Sequence, residues 1–87
     1  MKTLHYTSQF KKDFKRIKHQ PTKLKKLLDV LKLLENEEPI PDALYPHQLK
    51  GDYKGCMECH IESDTLLIWI DNNSIDLLRI GSHSELF

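Results

Sequence analysis

The hydrophobic period of this chain changes once, at Pro39-Ile40-Pro41, and that single change restricts it to a mixed fold with helices first and strands after. Before the prolines, apolar residues recur at threes and fours. Phe10, Phe14 and Ile17 form one stripe, and Leu24, Leu27, Leu28, Leu31 and Leu34 form a second. That is the spacing of amphipathic helices. Ser8 is placed to cap the first, and Pro21 suits the first turn of the second, with His19-Gln20 as the turn between them. After the prolines the pattern becomes strand-like: Gly55 to Ile61, Leu66 to Ile70 and Ile75 to Ile80, the last two joined by Asp71-Asn72-Asn73-Ser74. With a β-like start over Met1 to Tyr6, the expected order is β-αα-βββ. The fold class is α+β: a short N-terminal strand, an antiparallel helix pair and a three-stranded antiparallel meander, forming one sheet with the helices on one face.

At 87 residues and 39% hydrophobic content the chain can fill one modest core but not two, so residues 1–87 are expected to form a single domain. No run of about 18 apolar residues is present to span a bilayer, and no apolar stretch follows Met1 to His5, so no membrane role and a cytoplasmic location are expected. The net charge of zero conceals a division. Residues 1–32 carry ten Lys or Arg against Asp13 and Asp29, whereas residues 33–87 carry three against eleven acids. A basic half of this kind suits a polyanion or an acidic protein partner; it equally suits a solvated lysine face on two helices.

His47, His60 and His83 all fall in the second half, with Asp64. Histidine both accepts and donates a proton near neutral pH, so three on one small sheet point to acid–base chemistry. Alternation on the first meander strand puts Cys56, Glu58 and His60 on one face and Met57, Cys59 and Ile61 on the other. On the last strand, Leu77 and Arg79 are expected to oppose Leu78 and Ile80, which would bring Arg79 to the face of His60. Each residue has a structural reading beside the functional one: His47 as a loop histidine, His83 as a turn cap, Asp64 as a turn residue, Phe87 as core closure. Trp69 reads as core. Cys56-Met57-Glu58-Cys59-His60 matches the haem-attachment pattern and offers zinc ligands, but a strand sends the two sulfurs to opposite faces, so neither metal nor cofactor is expected and both thiols read as packing residues.

Leu49-Lys50-Gly51-Asp52-Tyr53-Lys54-Gly55, then Cys59-His60-Ile61-Glu62-Ser63-Asp64, then Leu78-Arg79-Ile80-Gly81-Ser82-His83-Ser84-Glu85-Leu86-Phe87, together resemble the YafQ subgroup of the bacterial RelE/ParE toxin superfamily. The resemblance runs the length of the chain and includes Tyr6 to Asp13. It implies a RelE-like fold and the toxin of a type II toxin–antitoxin system, an endoribonuclease that cleaves mRNA on the ribosome. The implied partners are a cognate antitoxin, mRNA and the ribosome, with operator DNA reached only through the antitoxin complex. His47, His60, Asp64 and His83 are the implied catalytic residues; Lys50, Lys54, Arg79 and Phe87 would hold RNA. One position departs from the pattern: Thr65 stands where the subgroup often has tryptophan. The alternative is a non-enzymatic module of the same fold, either a gyrase-poison type or a partner in an antitoxin–operator complex.

Overall fold

The computed structural model describes residues 1–87. Five strands and three α-helices follow in the order β1 (Leu4–Tyr6), α1 (Ser8–Ile17), α2 (Pro21–Glu35), β2 (His47–Gln48), β3 (Met57–Glu62), β4 (Thr65–Asp71), β5 (Ile75–Gly81) and α3 (His83–Leu86). Short 3-10 turns at Asp42–Leu44 and Gly51–Tyr53 flank β2. The α+β reading holds, with five strands in place of four and a third, short helix. The sheet order is β1-β5-β4-β3-β2; β1 runs parallel to β5 and every other pairing is antiparallel. The β3-β4-β5 meander is the expected one. β2 escaped notice because two residues display no alternation.

The local chemistry explains the boundaries. Thr7, one residue before the expected cap, is extended at φ −67°, ψ 160°, and its hydroxyl accepts the Phe10 N–H at 3.2 Å. The same hydroxyl donates to the Leu77 carbonyl at 2.8 Å, which fixes the start of α1 to β5. Ser8 lacks that second anchor. α2 starts at Pro21, whose missing N–H costs nothing there. It ends in a Schellman arrangement: Glu38 N–H to Leu33 O at 2.9 Å, Glu37 N–H to Leu34 O at 3.2 Å, with Glu37 left-handed at φ 58°. Ser82 caps α3 in a reciprocal box with Glu85.

Two apolar clusters lie on the two faces of the sheet. The larger packs Phe10, Ile17, Leu27, Val30, Leu31 and Leu34 of the helices onto Cys59, Ile61, Leu67, Trp69, Leu77 and Ile80. Leu28, expected in that stripe, is 51% exposed, and Val30 takes the inward place. On the other face Cys56, Leu66, Ile68 and Leu86 are joined by Leu49, Tyr53 and Leu78. The second cluster exists because the segment between β2 and β3, together with α3, folds over the face that the long helices leave free.

The two cysteines are buried, free, and on opposite faces, as alternation required. Burial, with the negative charge of Glu58 adding to it, pushes the Cys59 thiol up to about 12. The thiolate is the reactive form, so Cys59 is expected to resist alkylation in the native protein at pH 8 and to label fully in denaturant, as read by mass spectrometry after iodoacetamide treatment. Native labelling at the rate of a free thiol would contradict this packing.

Candidate functional site

A register shift in the sheet assembles the site. Ile68 pairs with Arg79 and Trp69 with Leu77, so Leu78 is an extra residue on β5. The bulge resets the alternation: Leu77 and Ile80 face the helices, while Leu78 and Arg79 face away. Strict alternation, which opposed Arg79 to Leu78, is therefore corrected by one inserted residue. Arg79 still reaches the face of His60, through a cross-strand row His47–Glu58–Ile68–Arg79.

Glu58 is the centre of that row. Its side chain is 5% exposed, and Oε1 lies 3.1 Å from His47 Nε2 and 3.8 Å from His60 Nε2, while buried Oε2 has no hydrogen-bond partner. A buried carboxylate oxygen without a partner is costly; the indole N–H of Trp69, in the core, is the other such group. The other nitrogen of His47, Nδ1, lies 2.8 Å from the Tyr45 carbonyl, which only accepts; the ring hydrogen therefore sits on Nδ1. The contact to Glu58 then needs a second proton, on Nε2 or on the carboxyl. Without it a lone pair faces a carboxylate.

His60 joins this group through its ring, 6.2 Å from His47 and 5.8 Å from Tyr45 between centroids. Asp64 does not. It sits in the β3–β4 turn and its Oδ1 accepts the His83 backbone N–H at 2.9 Å. The carboxylate partner of the histidines is Glu58, which alternation placed on the face of His60 without revealing the contact. Asp64 also lines a polar cleft of about 450 Å³ with Lys23, Lys26, Glu62, Ser63 and Ser82. Thr65 beside it is buried.

His83 opens α3 and Phe87 caps its C-terminal end, with ring centroids 5.0 Å apart, and Tyr53 meets Phe87 edge-on at 5.4 Å. His83 is exposed and Phe87 is 57% exposed. α3 is held by Asp64 at its first N–H and by Glu85, which bonds Arg16 Nε at 3.0 Å. Hydrogen bonds from the Ser82 backbone hold the Glu85 carboxyl below the usual carboxylate range, against a small opposing push from burial. No ring contact joins His83 to His47 or His60. The site is therefore two groups, His47-Glu58-His60 and His83-Phe87, on one face of the sheet.

Arg79 is more heavily committed than a free phosphate ligand would be. Its Nε and Nη2 donate to fully buried Asp13 at 2.7 and 3.2 Å, and Asp13 also accepts the Ile80 N–H at 3.1 Å and an Arg16 Nη2 bond at 3.2 Å. β1 stops pairing at Leu77, so Asp13 satisfies a β5 N–H that no strand reaches. Burial alone pushes the Asp13 carboxyl up, but the hydrogen bonds from Arg79 and Ile80 together outweigh it and hold the group below its ordinary value. A guanidinium has five N–H donors, of which two go to Asp13, and the Tyr53 hydroxyl also lies against the group; the side chain is 21% exposed. Lys50 and Lys54 are exposed on the loop between β2 and β3, whereas His5 and His19 are exposed on the helical half, outside either group.

Residues 2–87 match the family described as bacterial toxin of type II toxin–antitoxin system, YafQ. The mRNA interferase toxin YafQ of Escherichia coli K12 is 31% identical over 86 residues, spanning 97% of this chain and 94% of that protein. A metal-bound toxin from Helicobacter pylori superposes over the whole of both chains at 38% identity with a TM-score of 0.89. The E. coli DinJ-YafQ toxin–antitoxin complex contains a chain 31% identical to this one, with a TM-score of 0.87 over 99% of this chain and 97% of that one. The chain therefore belongs to the YafQ family of type II toxins.

Proposed function

We propose that this toxin is an mRNA endoribonuclease that uses the RNA 2′-hydroxyl as nucleophile. The observation that carries the reading is Glu58: a buried carboxylate with one oxygen shared between two histidines and the other unpartnered, on the face that also bears His83, Arg79 and Phe87. The His47–Glu58 pair takes the 2′-hydroxyl proton, with His60 bordering it. The 2′-oxygen then bonds to phosphorus and the bond from phosphorus to the 5′-oxygen breaks. His83 donates the proton that the departing 5′-oxygen requires, so the products are a 2′,3′-cyclic phosphate and a 5′-hydroxyl. Asp64 fixes the helix that carries His83. Arg79, aimed by Asp13, offers its remaining donors to the crowded phosphate, and Lys50 and Lys54 attract the flanking backbone. Phe87 supplies a stacking face for a base.

The partners that suit this chemistry are mRNA, the ribosome and an antitoxin. Phe10, Phe14, Leu28, Leu31 and Tyr6 line an apolar groove of about 300 Å³ between α1 and α2, beside Lys11, and an acidic amphipathic antitoxin segment suits it. Operator DNA would be reached through that complex.

The deciding experiment is incubation of a defined message with the toxin, with and without ribosomes, followed by mapping of the ends. Cleavage leaving a 2′,3′-cyclic phosphate, undiminished by a chelator, is expected. Intact message under both conditions would reject the nuclease and favour the non-enzymatic module.

A further inference from the structure

Tyr45 is the residue that the proposed chemistry leaves unused and that the structure treats most unusually. It closes the Asp42–Leu44 turn in the left-handed region, at φ 53° and ψ 56°, where glycine or asparagine is the unstrained choice. Its side chain is not there to be buried, since the residue is 64% exposed. The ring instead leans on the two site histidines, 4.6 Å from His47 and 5.8 Å from His60 between centroids, and its carbonyl holds the His47 Nδ1 hydrogen. The other left-handed non-glycine, Glu37, ends a long helix and carries an exposed side chain away from either group. At Tyr45, backbone strain and an exposed aromatic ring coincide at a cluster of titratable side chains, the setting in which strain is retained for function.

We infer that Tyr45 is a substrate-positioning residue: an aromatic platform on which one base of single-stranded RNA stacks, beside the His47–Glu58 pair. The inference rests on the nuclease reading and deepens it. Tyr45 lies against His47 and His60, Phe87 against His83, so each group of the site has one exposed ring. A strand that stacks a base at each would present the intervening sugar and phosphate to the base on one side and the acid on the other. Stacking tolerates any base, so Tyr45 contributes hold and register rather than base identity. Its hydroxyl is not required.

The test compares Tyr45→Gly, Tyr45→Phe and wild type for cleavage of a defined message, in whichever condition, free or ribosome-bound, wild type cleaves. The half-saturating RNA concentration, the saturated rate and the cleavage-site map are read, with thermal unfolding in parallel. Tyr45→Gly is expected to raise the half-saturating concentration about five- to hundredfold, the range for loss of one stacked base, and to redistribute cleavage sites. Its unfolding midpoint should not fall, because glycine removes the left-handed strain. Tyr45→Phe should match wild type. Unchanged saturation and site map in Tyr45→Gly would overturn the platform and leave the nuclease intact. Equal loss in Tyr45→Phe would overturn stacking in favour of a hydroxyl role, and a lowered midpoint accompanying the loss would reduce Tyr45 to a structural residue. No cleavage by wild type rejects the nuclease reading itself, and the platform with it.

Discussion

Replacing His83 by glutamine is expected to lower the cleavage rate by about 10²–10⁴ while leaving the fold intact, because loss of a positioned general acid has that size. The separation of the two effects follows from position. His83 is exposed, its ring packs on exposed Phe87, and what holds α3 is the backbone bond to Asp64 and the Arg16–Glu85 pair, neither of which uses the imidazole. Single-turnover cleavage with circular dichroism as a fold control checks this. A substrate whose 5′-oxygen leaves without needing a proton sharpens the test: the His83→Gln defect should largely vanish on it, while a Glu58→Gln defect should persist. Equal defects on both substrates would remove His83 from the acid role.

The largest effect on stability is expected at Asp13. Removing one partner from a buried ion pair strands the other, at a cost of about 3–5 kcal/mol. Asp13→Ala strands Arg79, and also the Ile80 N–H. A domain of this size has a total stability of roughly 4–13 kcal/mol, so the variant should lose a large share of it and unfold at a clearly lower denaturant concentration. Denaturant titration measures it, and an unchanged midpoint would show that the network contributes nothing. The pH dependence has a defined sign. The Asp13 carboxyl is held below its ordinary 3.8 in the fold, so its contribution is complete above that value and is lost as pH falls through the lower folded value. The stability gap between wild type and Asp13→Asn should therefore narrow below about pH 4 and be constant above it.

The two predictions mark how far the sequence could be read. His83 was legible because its chemistry and its place after a strand-ending glycine are both local. Helices, meander and the two faces of β3 were legible for the same reason: a period of 3.6 or 2 is a property of neighbours in the chain. Asp13 was not, because what it does depends on Ile80 and Arg79, and nothing in a lysine-rich helix singles out one aspartate. Glu58 stood visibly on the face of His60, yet its role as the histidines' carboxylate needed β2, a strand of two residues. The bulge at Leu78 was invisible as well. Arg79 reached the expected face, but by an inserted residue rather than by alternation. The contact of Asp64 with the His83 N–H has the same origin, since it depends on how the β3–β4 turn meets α3.

The parallel pairing of β1 with β5 has a consequence for how the protein is made. Thr7 meets Leu77 across 70 positions, and Asp13 meets Arg79 across 66. Long-range pairings of this kind close late. At elongation rates of about 5–20 residues per second, roughly 4–14 s separate the synthesis of the first strand from that of the strand it pairs with. Throughout that interval α1 has no β5 to pack on, Arg79 does not yet exist to meet Asp13, and the helix bearing His83 is unmade. Until the last segment arrives, the chain lacks both the strand that receives β1 and the helix that carries His83.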